Sequence, residues 1–369
     1  MDDINLDRYD RQITLKGFGV AAQEKLRNAK VLVVGAGGLG CPALQYLTAA
    51  GIGTIGVLDH DYVALNNLHR QILYSTDDVG KPKVAVAAAK LGRLNPEIKI
   101  VQHDTKLSRS NALDIIADYD FIVDGTDNFE SRYLINDACL LLKKPLVFAA
   151  VSDYEGQIAV FNVTDAEGIS TNYRDLFPRP PAAGEIRNCE ENGVIGVLPG
   201  IIGVMQAAEV IKLITAIGQP LVNRLLTYNL LTQQSYEINI SPGAEGSYIK
   251  PTTADFIKYD SVPLKEIEGA ELRTLLMNGD AILIDVREYH ETPKLQGENY
   301  EQVPMSVLDE DILSNISQEH LILICQHGIR SLNAAEYLQE HNVGQKNIYS
   351  LKGGVVRWKD HFIELSLLS

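Results

Sequence analysis

Short apolar runs alternate with longer segments of helical character from residue 31 onward. The apolar runs resemble buried strands and cover residues 31–34, 55–58, 98–101, 121–123 and 146–150. The helical segments lie between them, at 42–50, 83–94 and 129–142. This alternation predicts an α/β fold with an open, mostly parallel, Rossmann-like sheet covered by helices.

Three later β-rich segments predict antiparallel strands appended to this sheet, at 157–162, 224–229 and 234–240. Between the first two lies an irregular stretch, 171–193, that is rich in Pro, Arg and Glu and is followed by a predicted helix at 200–216. A long loop inside a compact domain is usually functional or mobile. The stretch is therefore a candidate for a functional role.

A second, smaller α/β unit follows, with predicted helices at 271–277 and 331–339 and strands at 281–284 and 321–324. A chain of 369 residues is too long for one typical core and fits two domains. Turn-forming residues with weak periodicity mark the connection between them. We place the first domain at 1–245, the linker at 246–262 and the second, small α/β domain at 263–369.

Composition excludes several classes of function. The net charge of −15 argues against a general binder of nucleic acid or of anionic membranes, since either needs a basic surface. No uninterrupted apolar run approaches the roughly 20 residues that span a bilayer, and the acidic N-terminal segment does not resemble a signal peptide. Four widely spaced cysteines indicate a reducing, cytoplasmic setting.

A glycine-rich loop follows the first apolar run. Its glycines are Gly35, Gly37, Gly38 and Gly40, and a predicted helix begins directly after them. Such a loop lets the backbone approach phosphates, whose charge then meets the helix N-terminus. Asp59 ends the next strand, where a carboxylate can accept hydrogen bonds from ribose hydroxyls. Taken alone, the loop favours NAD binding, and a turn that serves only packing is the alternative.

The residues after this loop favour a triphosphate instead. Asn66–Gln71 and Gly80–Lys83 bring cationic and amide groups soon after Asp59, and Asp124 and Asp127 follow a later strand. Cations together with carboxylates near a glycine loop suit ATP with Mg²⁺. A hydride-transfer site would not need them.

In their order, these motifs resemble the ubiquitin-activating-enzyme superfamily, and within it the bacterial adenylyltransferases of molybdopterin and thiamine biosynthesis. The resemblance spans about residues 5 to 240. The segments that carry it are Arg8–Gln12, Gly35–Gly40, Asn67–Gln71, Lys83, Asp124–Asn128 and Cys189–Gly193. It implies ATP-dependent adenylylation of the C-terminal glycine of a small ubiquitin-like sulfur-carrier protein that ends in Gly-Gly.

The resemblance also implies a role for each matching residue. Asp59 would hold the ribose and Asp127 would bind Mg²⁺, with Asn128 beside it as a further nucleotide contact. The phosphates would be contacted by Asn67, Arg70, Gln71 and Lys83. Arg11 would reach into the site of a partner subunit, which implies a homodimer. Cys189 matches a nucleophile that forms a transient acyl disulfide or thioester, and a dispensable exposed thiol is the alternative.

One departure from the family concerns zinc. Relatives often place two Cys-x-x-Cys pairs around a structural zinc ion, whereas this chain has Asn172 and Asp175 at the first pair and no cysteine in 241–250. A neutral amide and one carboxylate cannot replace four thiolates in a tetrahedral site. We therefore expect the first domain to lack zinc.

A second candidate loop runs from Cys325 to Arg330, after the apolar run 321–324. Backbone N–H groups, the following helix and Arg330 are expected to favour the Cys325 thiolate, which can carry sulfur as a persulfide. With Leu283–Glu288, Leu351–Gly354 and Trp358, this loop resembles the rhodanese (sulfurtransferase) domain, over about residues 262–369. Segment 290–304 lacks the sequence motif that rhodanese domains usually carry there. A cysteine phosphatase, whose loop is one residue longer, and a structural cysteine are the alternatives.

The two resemblances together imply an adenylyltransferase that also transfers sulfur, yielding a carrier thiocarboxylate. The fused sulfur domain favours a carrier of the molybdopterin-synthase type, and thiamine and tRNA-thiolation carriers are the alternatives. An upstream sulfur donor, such as a cysteine desulfurase, is implied. An NAD-dependent dehydrogenase and a non-catalytic carrier-binding scaffold represent other classes. Cys41 and Cys139 lie in apolar segments and are expected to fill the core.

Overall fold

The computed structural model describes residues 6–179, 193–244, 246, 248, 250–253, 256, 265–277, 279–297, 299–308, 316–340 and 346–364. The chain divides into two compact units, and the main division falls between Ile257 and Lys258. The first unit contains an eight-stranded sheet and the second a five-stranded sheet.

The sheet of the first unit has the strand order β3-β2-β1-β4-β5-β6-β7-β8. Its strands are β1 Lys30–Val34, β2 Thr54–Leu58, β3 Lys99–His103, β4 Phe121–Asp124, β5 Leu146–Ser152, β6 Glu155–Phe161, β7 Arg224–Asn229 and β8 Ser235–Asn239. The five strands from β3 to β5 pair in parallel, and β6, β7 and β8 are antiparallel additions. The predicted mostly parallel sheet with appended antiparallel strands is therefore confirmed.

Helices cover both faces of this sheet. They are α1 Leu6–Ile13, α2 Gly19–Asn28, α3 Gly40–Ala50, α4 Lys83–Leu94, α5 Arg109–Ala117, α6 Phe129–Leu142, α7 Tyr173–Leu176 and α8 Val197–Thr215. Val31 and Val33 of β1 pack in one apolar cluster, and Leu32 and Val34 in the other. Because successive side chains of a strand point to opposite faces, covering both faces requires a continuous apolar run.

Several elements of the first unit were not predicted or begin elsewhere. Helix α1 has eight residues and is strongly amphipathic, with Tyr9 buried and Gln12 bonded to the Ala50 carbonyl, but it precedes residue 31, where the predicted elements begin. Helix α5 begins after Ser108, whose side chain and that of Asn111 form a capping box. Helix α8 starts at Val197 rather than residue 200, and the short helix α7 lies within the stretch predicted to be irregular.

Helix α8 is long and apolar enough to cross a membrane by length and composition, with a mean hydropathy of 1.7 over its most apolar window. In the structure it packs against α3 and against strands β5 and β6. It also buries the polar side chains of Gln206 and Glu209. A helix that is apolar on most sides is typical of a domain core, and we interpret α8 in that way.

The second unit is built on a parallel sheet with the order β11-β10-β12-β13-β9. Its strands are β9 Lys265–Ile267, β10 Ala281–Asp285, β11 Tyr300–Gln302, β12 His320–Ile324 and β13 Asn347–Leu351. Its helices are α9 Gly269–Met277, α10 Ile329–Glu340, α11 Gly354–Arg357 and α12 Lys359–Glu364. Two apolar clusters pack on the two faces, as in the first unit.

Part of the segment predicted as a linker is attached to the first unit. Phe256 is only 4% exposed and packs in the cluster that contains Phe148 and Tyr173. The hydroxyl of Tyr248 accepts a hydrogen bond from Asn172 at 2.7 Å. The positions of the domain boundaries remain a prediction.

Candidate functional site

The glycine loop joins β1 to α3 and has two positions where only glycine fits. Gly35 has a φ of +91°, and a Cβ there would lie 2.8 Å from the carbonyl oxygen of Gly125. A Cβ at Gly40 would lie 1.8 Å from the carbonyl oxygen of Gly35. Backbone packing therefore accounts for these two glycines without any ligand.

The other two glycines of the loop lie beside side chains rather than backbone. A Cβ at Gly37 would meet only the Gln71 amide, at 3.7 Å, whereas a Cβ at Gly38 would lie 3.2 Å from Cβ of Pro199 and 3.5 Å from Cγ of Arg70. Packing alone does not exclude a side chain at Gly37. A bare backbone beside an amide and a guanidinium is the arrangement that binds phosphate.

Because the loop is crowded around Gly40, we expect a substitution there to lower the stability of the protein strongly. We expect Gly40→Ala to destabilise the first unit by about 3 kcal/mol or more, because the added methyl group would overlap backbone that cannot move aside. Gly92→Ala is the matched control, since Gly92 lies in α4 with nothing within 4 Å of its Cβ position. Thermal melting of both variants tests this, and a Gly40→Ala protein that melts with the parent would contradict it.

Asp59 directly follows β2 and is fixed beside the glycine loop. It is 8% exposed, and its carboxylate accepts hydrogen bonds from the backbone N–H groups of Ala36 and Asp61, both at 2.8 Å. The ammonium of Lys83 lies 3.8 Å from Asp59 Oδ2 and 2.8 Å from Asp61 Oδ2. Lys83 is 3% exposed, and a buried cation needs such partners. The sequence analysis did not single out Asp61 as a partner of Lys83. Its position two residues after Asp59 was the one signal that could have indicated it.

Three further predicted residues lie beside the same loop. Arg70 donates to the side chain of Asn67 at 2.9 Å, which holds the guanidinium in place. Gln71 is 4% exposed, and its Oε1 has no hydrogen-bond partner among the described residues. A buried polar atom without a partner is costly unless a ligand or water satisfies it. The residues around the loop therefore fit a nucleotide.

The last residue of β4 is a buried carboxylate, and the loop after the strand carries an exposed one. Asp124 is 1% exposed, and its Oδ1 accepts from the backbone N–H and the hydroxyl of Thr126, at 2.9 and 2.6 Å. Burial raises the pKa of Asp124. Asp127 is exposed and is the carboxylate of this loop that a metal ion in solution can reach. Asn128 caps α6 by accepting from Ser131 N at 2.9 Å, a role its sequence position did not reveal.

The remaining predicted residues of the first unit lie elsewhere. Arg11 is exposed on α1 and makes no hydrogen bond or ion pair with the residues that the structure describes. Cys189 lies outside the described residues. Cys41 and Cys139 are fully buried, as expected for core residues, and burial raises the pKa of Cys41 to about 12.

The second loop places a buried thiol at the end of β12. Cys325 is 1% exposed, and the backbone N–H of Gly328 donates to its Sγ at 3.1 Å. A Cβ at Gly354 would lie 2.3 Å from the Cys325 carbonyl oxygen, so the segment from 351 to 354 packs tightly against this loop. The sequence predicted that several backbone N–H groups would donate to the sulfur. Among the described residues, that of Gly328 does so.

Arg330 was expected to stabilise the Cys325 thiolate, but in the structure it is paired with a carboxylate. Its two terminal nitrogens donate to the carboxylate of Glu291, both at 2.6 Å. This pairing holds the pKa of Glu291 at about 2. Glu291 was not predicted as a site residue because it lies in the segment that lacks the usual rhodanese motif. Its partner, Arg330, is 39 residues away in the sequence.

The positions expected to hold zinc are joined by hydrogen bonds. Asp175 accepts from the backbone N–H of Asn172 at 2.8 Å and from its amide at 2.7 Å. Its other oxygen accepts from Gly243 N at 2.8 Å, and Asn172 donates to the Tyr248 hydroxyl. These contacts connect the same two segments that a zinc ion would join. Backbone N–H groups, an amide and a single carboxylate do not fit tetrahedral zinc.

Fold and site together define a nucleotide-binding enzyme domain and a cysteine-loop domain in one chain. Residues 9–247 match the ThiF family and residues 268–361 match the rhodanese-like domain. The chain therefore belongs to the ThiF family and carries a rhodanese-like domain after it. This confirms the resemblances found in the sequence.

Curated relatives share both parts. The chain is 37% identical to the probable adenylyltransferase/sulfurtransferase MoeZ of Mycobacterium tuberculosis, over 95% of this chain and 92% of that protein. It is 36% identical to the adenylyltransferase and sulfurtransferase MOCS3 of Arabidopsis thaliana, over 95% and 82%. It is 46% identical to the sulfur carrier protein adenylyltransferase of Thermus thermophilus, over 69% and 96%. The protein is accordingly an adenylyltransferase with sulfurtransferase activity.

Solved structures support the fold of the first unit. A crystal structure of E. coli MccB with ATP superposes with a TM-score of 0.55 and 23% identity, over 65% of this chain and 73% of that chain. At this identity the likeness shows the fold alone.

Proposed function

We propose that the protein adenylylates the C-terminal glycine of a small ubiquitin-like sulfur-carrier protein and then converts it to a thiocarboxylate. The observation that carries the proposal is the presence, in one chain, of a glycine loop flanked by Arg70 and Lys83 and of a buried thiol at Cys325. The names of the relatives support the same pair of reactions. Relatives with both domains favour a carrier of the molybdopterin-synthase type.

In the first reaction the chain positions reactants and neutralises charge. A C-terminal carboxylate has an intrinsic pKa of about 3.5, so it is ionised at neutral pH and needs no general base. Asp59, held by the N–H of Ala36, would orient the ribose, and Arg70 and Lys83 would offset the charge that develops on the phosphates. Mg²⁺ bound at Asp127 would neutralise charge on the leaving pyrophosphate.

In the second reaction sulfur replaces the adenylate. The terminal sulfur of a Cys325 persulfide would attack the activated carbonyl carbon, and the bond to AMP breaks as the acyl disulfide forms. The thiolate of Cys189 would then attack the Cys325 sulfur. This releases the carrier thiocarboxylate and leaves a disulfide between the two cysteines, which a cellular thiol must reduce before the next turnover.

The proposal extends to partners and setting. We propose a homodimer in which Arg11 contributes to the partner's site, and the exposed position of Arg11 on α1 supports this. A cysteine desulfurase is the proposed upstream donor, and the cytoplasm is the proposed compartment, without nucleic-acid or membrane partners.

The direct test is to incubate the protein with ATP, Mg²⁺, a cysteine desulfurase, cysteine and a panel of candidate carriers ending in Gly-Gly. Intact-mass measurement should show one carrier gaining mass by replacement of one oxygen with sulfur, and only when ATP is present. A panel that contains the cognate carrier of the organism and shows no adenylylation would overturn the proposal.

We also propose that the first domain functions without zinc, its place being taken by the contacts of Asp175. Asp175→Ala removes three hydrogen bonds and should lower the stability of the first unit by about 1–3 kcal/mol. Asp114→Ala, at an exposed position of α5, is the matched control and should change little. Melting with and without a zinc chelator is the measurement. Stoichiometric zinc in the purified protein, or a chelator-sensitive melting temperature, would contradict the proposal.

A further inference from the structure

The turn after β10 lies directly beside the Cys325 loop. Strands β10 and β12 pair in parallel with Asp285 opposite Ile324, and Val286 N donates to the Ile324 carbonyl at 2.9 Å. Because the carboxyl ends of neighbouring parallel strands meet at one edge, the turn that carries Glu291 and the loop that begins at Cys325 share that edge.

Glu291 is fixed in this turn and takes both arms of Arg330. Its Oε1 accepts from Glu288 N at 2.8 Å and from Arg330 at 2.6 Å, and its Oε2 accepts a second bond from Arg330 at 2.6 Å. The side chain of Glu291 is 20% exposed and that of Arg330 39%. Two parallel, charge-assisted hydrogen bonds orient the guanidinium more strictly than a single contact would.

The other arginine at this edge is neutralised as well. Arg287 is 1% exposed and donates to the carboxylate of Asp285 at 2.9 and 2.6 Å. Its remaining nitrogen donates to the Gln326 side chain in the Cys325 loop, at 3.2 Å. Among the described residues, both arginines that flank the thiol therefore have a carboxylate partner.

We propose that Glu291 is a residue that sets the sulfur donor of the Cys325 loop. By neutralising Arg330, it disfavours small dianionic donors such as thiosulfate and leaves the loop to donors that present sulfur as a persulfide. This inference rests on the proposed function, in which Cys325 carries the sulfur.

The charges of the two reactions explain the selection. A persulfide donor R–S–SH gives its terminal sulfur to the Cys325 thiolate, and the S–S bond breaks to release the thiolate R–S⁻. With thiosulfate the same attack releases sulfite. A dianion must therefore bind beside the thiolate, and a second dianion must leave. An uncompensated cation stabilises such charge, whereas a cation already paired with a carboxylate does so weakly.

The test compares two donors on the full-length protein. Thiocyanate formation from thiosulfate and cyanide measures the first, and transfer of radiolabelled sulfur from a cysteine desulfurase charged with cysteine measures the second. We expect Glu291→Gln to raise kcat/KM for thiosulfate by about tenfold, because it removes one charge next to Arg330 while keeping the shape. Transfer from the desulfurase should change by much less.

A matched control makes the same charge change at the other end of the strand. Glu319→Gln lies before β12, roughly 20 Å along the chain from Cys325, and should leave both donor rates unchanged. Glu291→Asp keeps the carboxylate and should keep thiosulfate a poor donor. A thiosulfate rate for Glu291→Gln that is equal to or below that of the parent would refute the inference.

Two measurements keep the test decisive. If Glu291→Gln does not fold, the parent protein alone still tests the inference. A parent protein that accepts sulfur from thiosulfate as fast as from the desulfurase would contradict it. Cys325→Ala separates this inference from the proposed function. If that variant still accepts sulfur from the desulfurase and passes it to the carrier, the proposed role of Cys325 as sulfur carrier is wrong, whatever Glu291 does.

Discussion

Cys325→Ala is expected to end thiocarboxylate formation while ATP–pyrophosphate exchange continues at the parental rate. The thiol is the covalent sulfur carrier in the proposed mechanism, so its loss should lower sulfur transfer by about a thousandfold or more. Exchange depends on the glycine loop and its neighbours, which belong to the other compact unit. The two activities of the chain should therefore separate cleanly.

Both activities are measured on the same preparation of this variant. Carrier-dependent exchange of labelled pyrophosphate into ATP follows the first reaction, and intact-mass analysis of the carrier follows the second. Cys189→Ala is the comparison that decides the role of the other thiol. If it also spares exchange but leaves a covalent adduct of carrier and protein, Cys189 resolves the acyl disulfide. Thiocarboxylate made at the parental rate by Cys325→Ala would show that Cys325 does not carry the transferred sulfur.

Local patterns could be predicted from the sequence because their causes are local. The inner parallel strands β1, β2 and β4 contain continuous apolar runs, since both faces of the sheet are covered there. Gly35 and Gly40 stand out because the turn between β1 and α3 leaves no room for a Cβ. Lys83 and Arg70 were found through the family motif, and the structure places both around the same loop.

Contacts between distant parts of the chain could not be predicted in this way. The carboxylate of Glu291 meets Arg330 only because two parallel strands end side by side. Asp175 bonds to Gly243 only because the segment after β8 returns to α7. Arg330 and Asp175 were singled out in the sequence, but nothing there indicates their partners, Glu291 and Gly243. Helix α1 was missed for a different reason: its amphipathic pattern is strong but covers only eight residues, whose buried side chain among those described is Tyr9.

The two loops solve a similar problem with different chemistry. Each follows the carboxyl end of a parallel strand and leads into a helix, α3 or α10, so that backbone N–H groups face a negative charge. At the first loop, Gly37 leaves the backbone bare where we propose that an external phosphate binds. At the second, the protein supplies the acceptor itself, and Gly328 N bonds to Cys325 Sγ. Similar strand-to-helix geometry thus serves an electrophile in one unit and a nucleophile in the other.

Asp127→Ala is expected to abolish carrier-dependent ATP–pyrophosphate exchange, by about a thousandfold or more, because it removes the proposed magnesium ligand. The fold should survive, since Asp127 is exposed and the loop is held instead by Asp124 and Thr126. Glu130→Gln, in the first turn of α6, is the matched control for a nearby loss of charge and should retain exchange.

The magnesium dependence of exchange distinguishes a lost ligand from a damaged loop. Asp127→Asn keeps the shape of the side chain and weakens the ligand, so its exchange should recover in part as the Mg²⁺ concentration is raised. A variant with a disordered loop would not recover in that way, and its melting temperature would fall. If Asp127→Ala exchanges at the parental rate with the same Mg²⁺ dependence, the metal is bound elsewhere, and the buried Asp124, whose Oδ2 has no partner among the described residues, becomes the carboxylate to test.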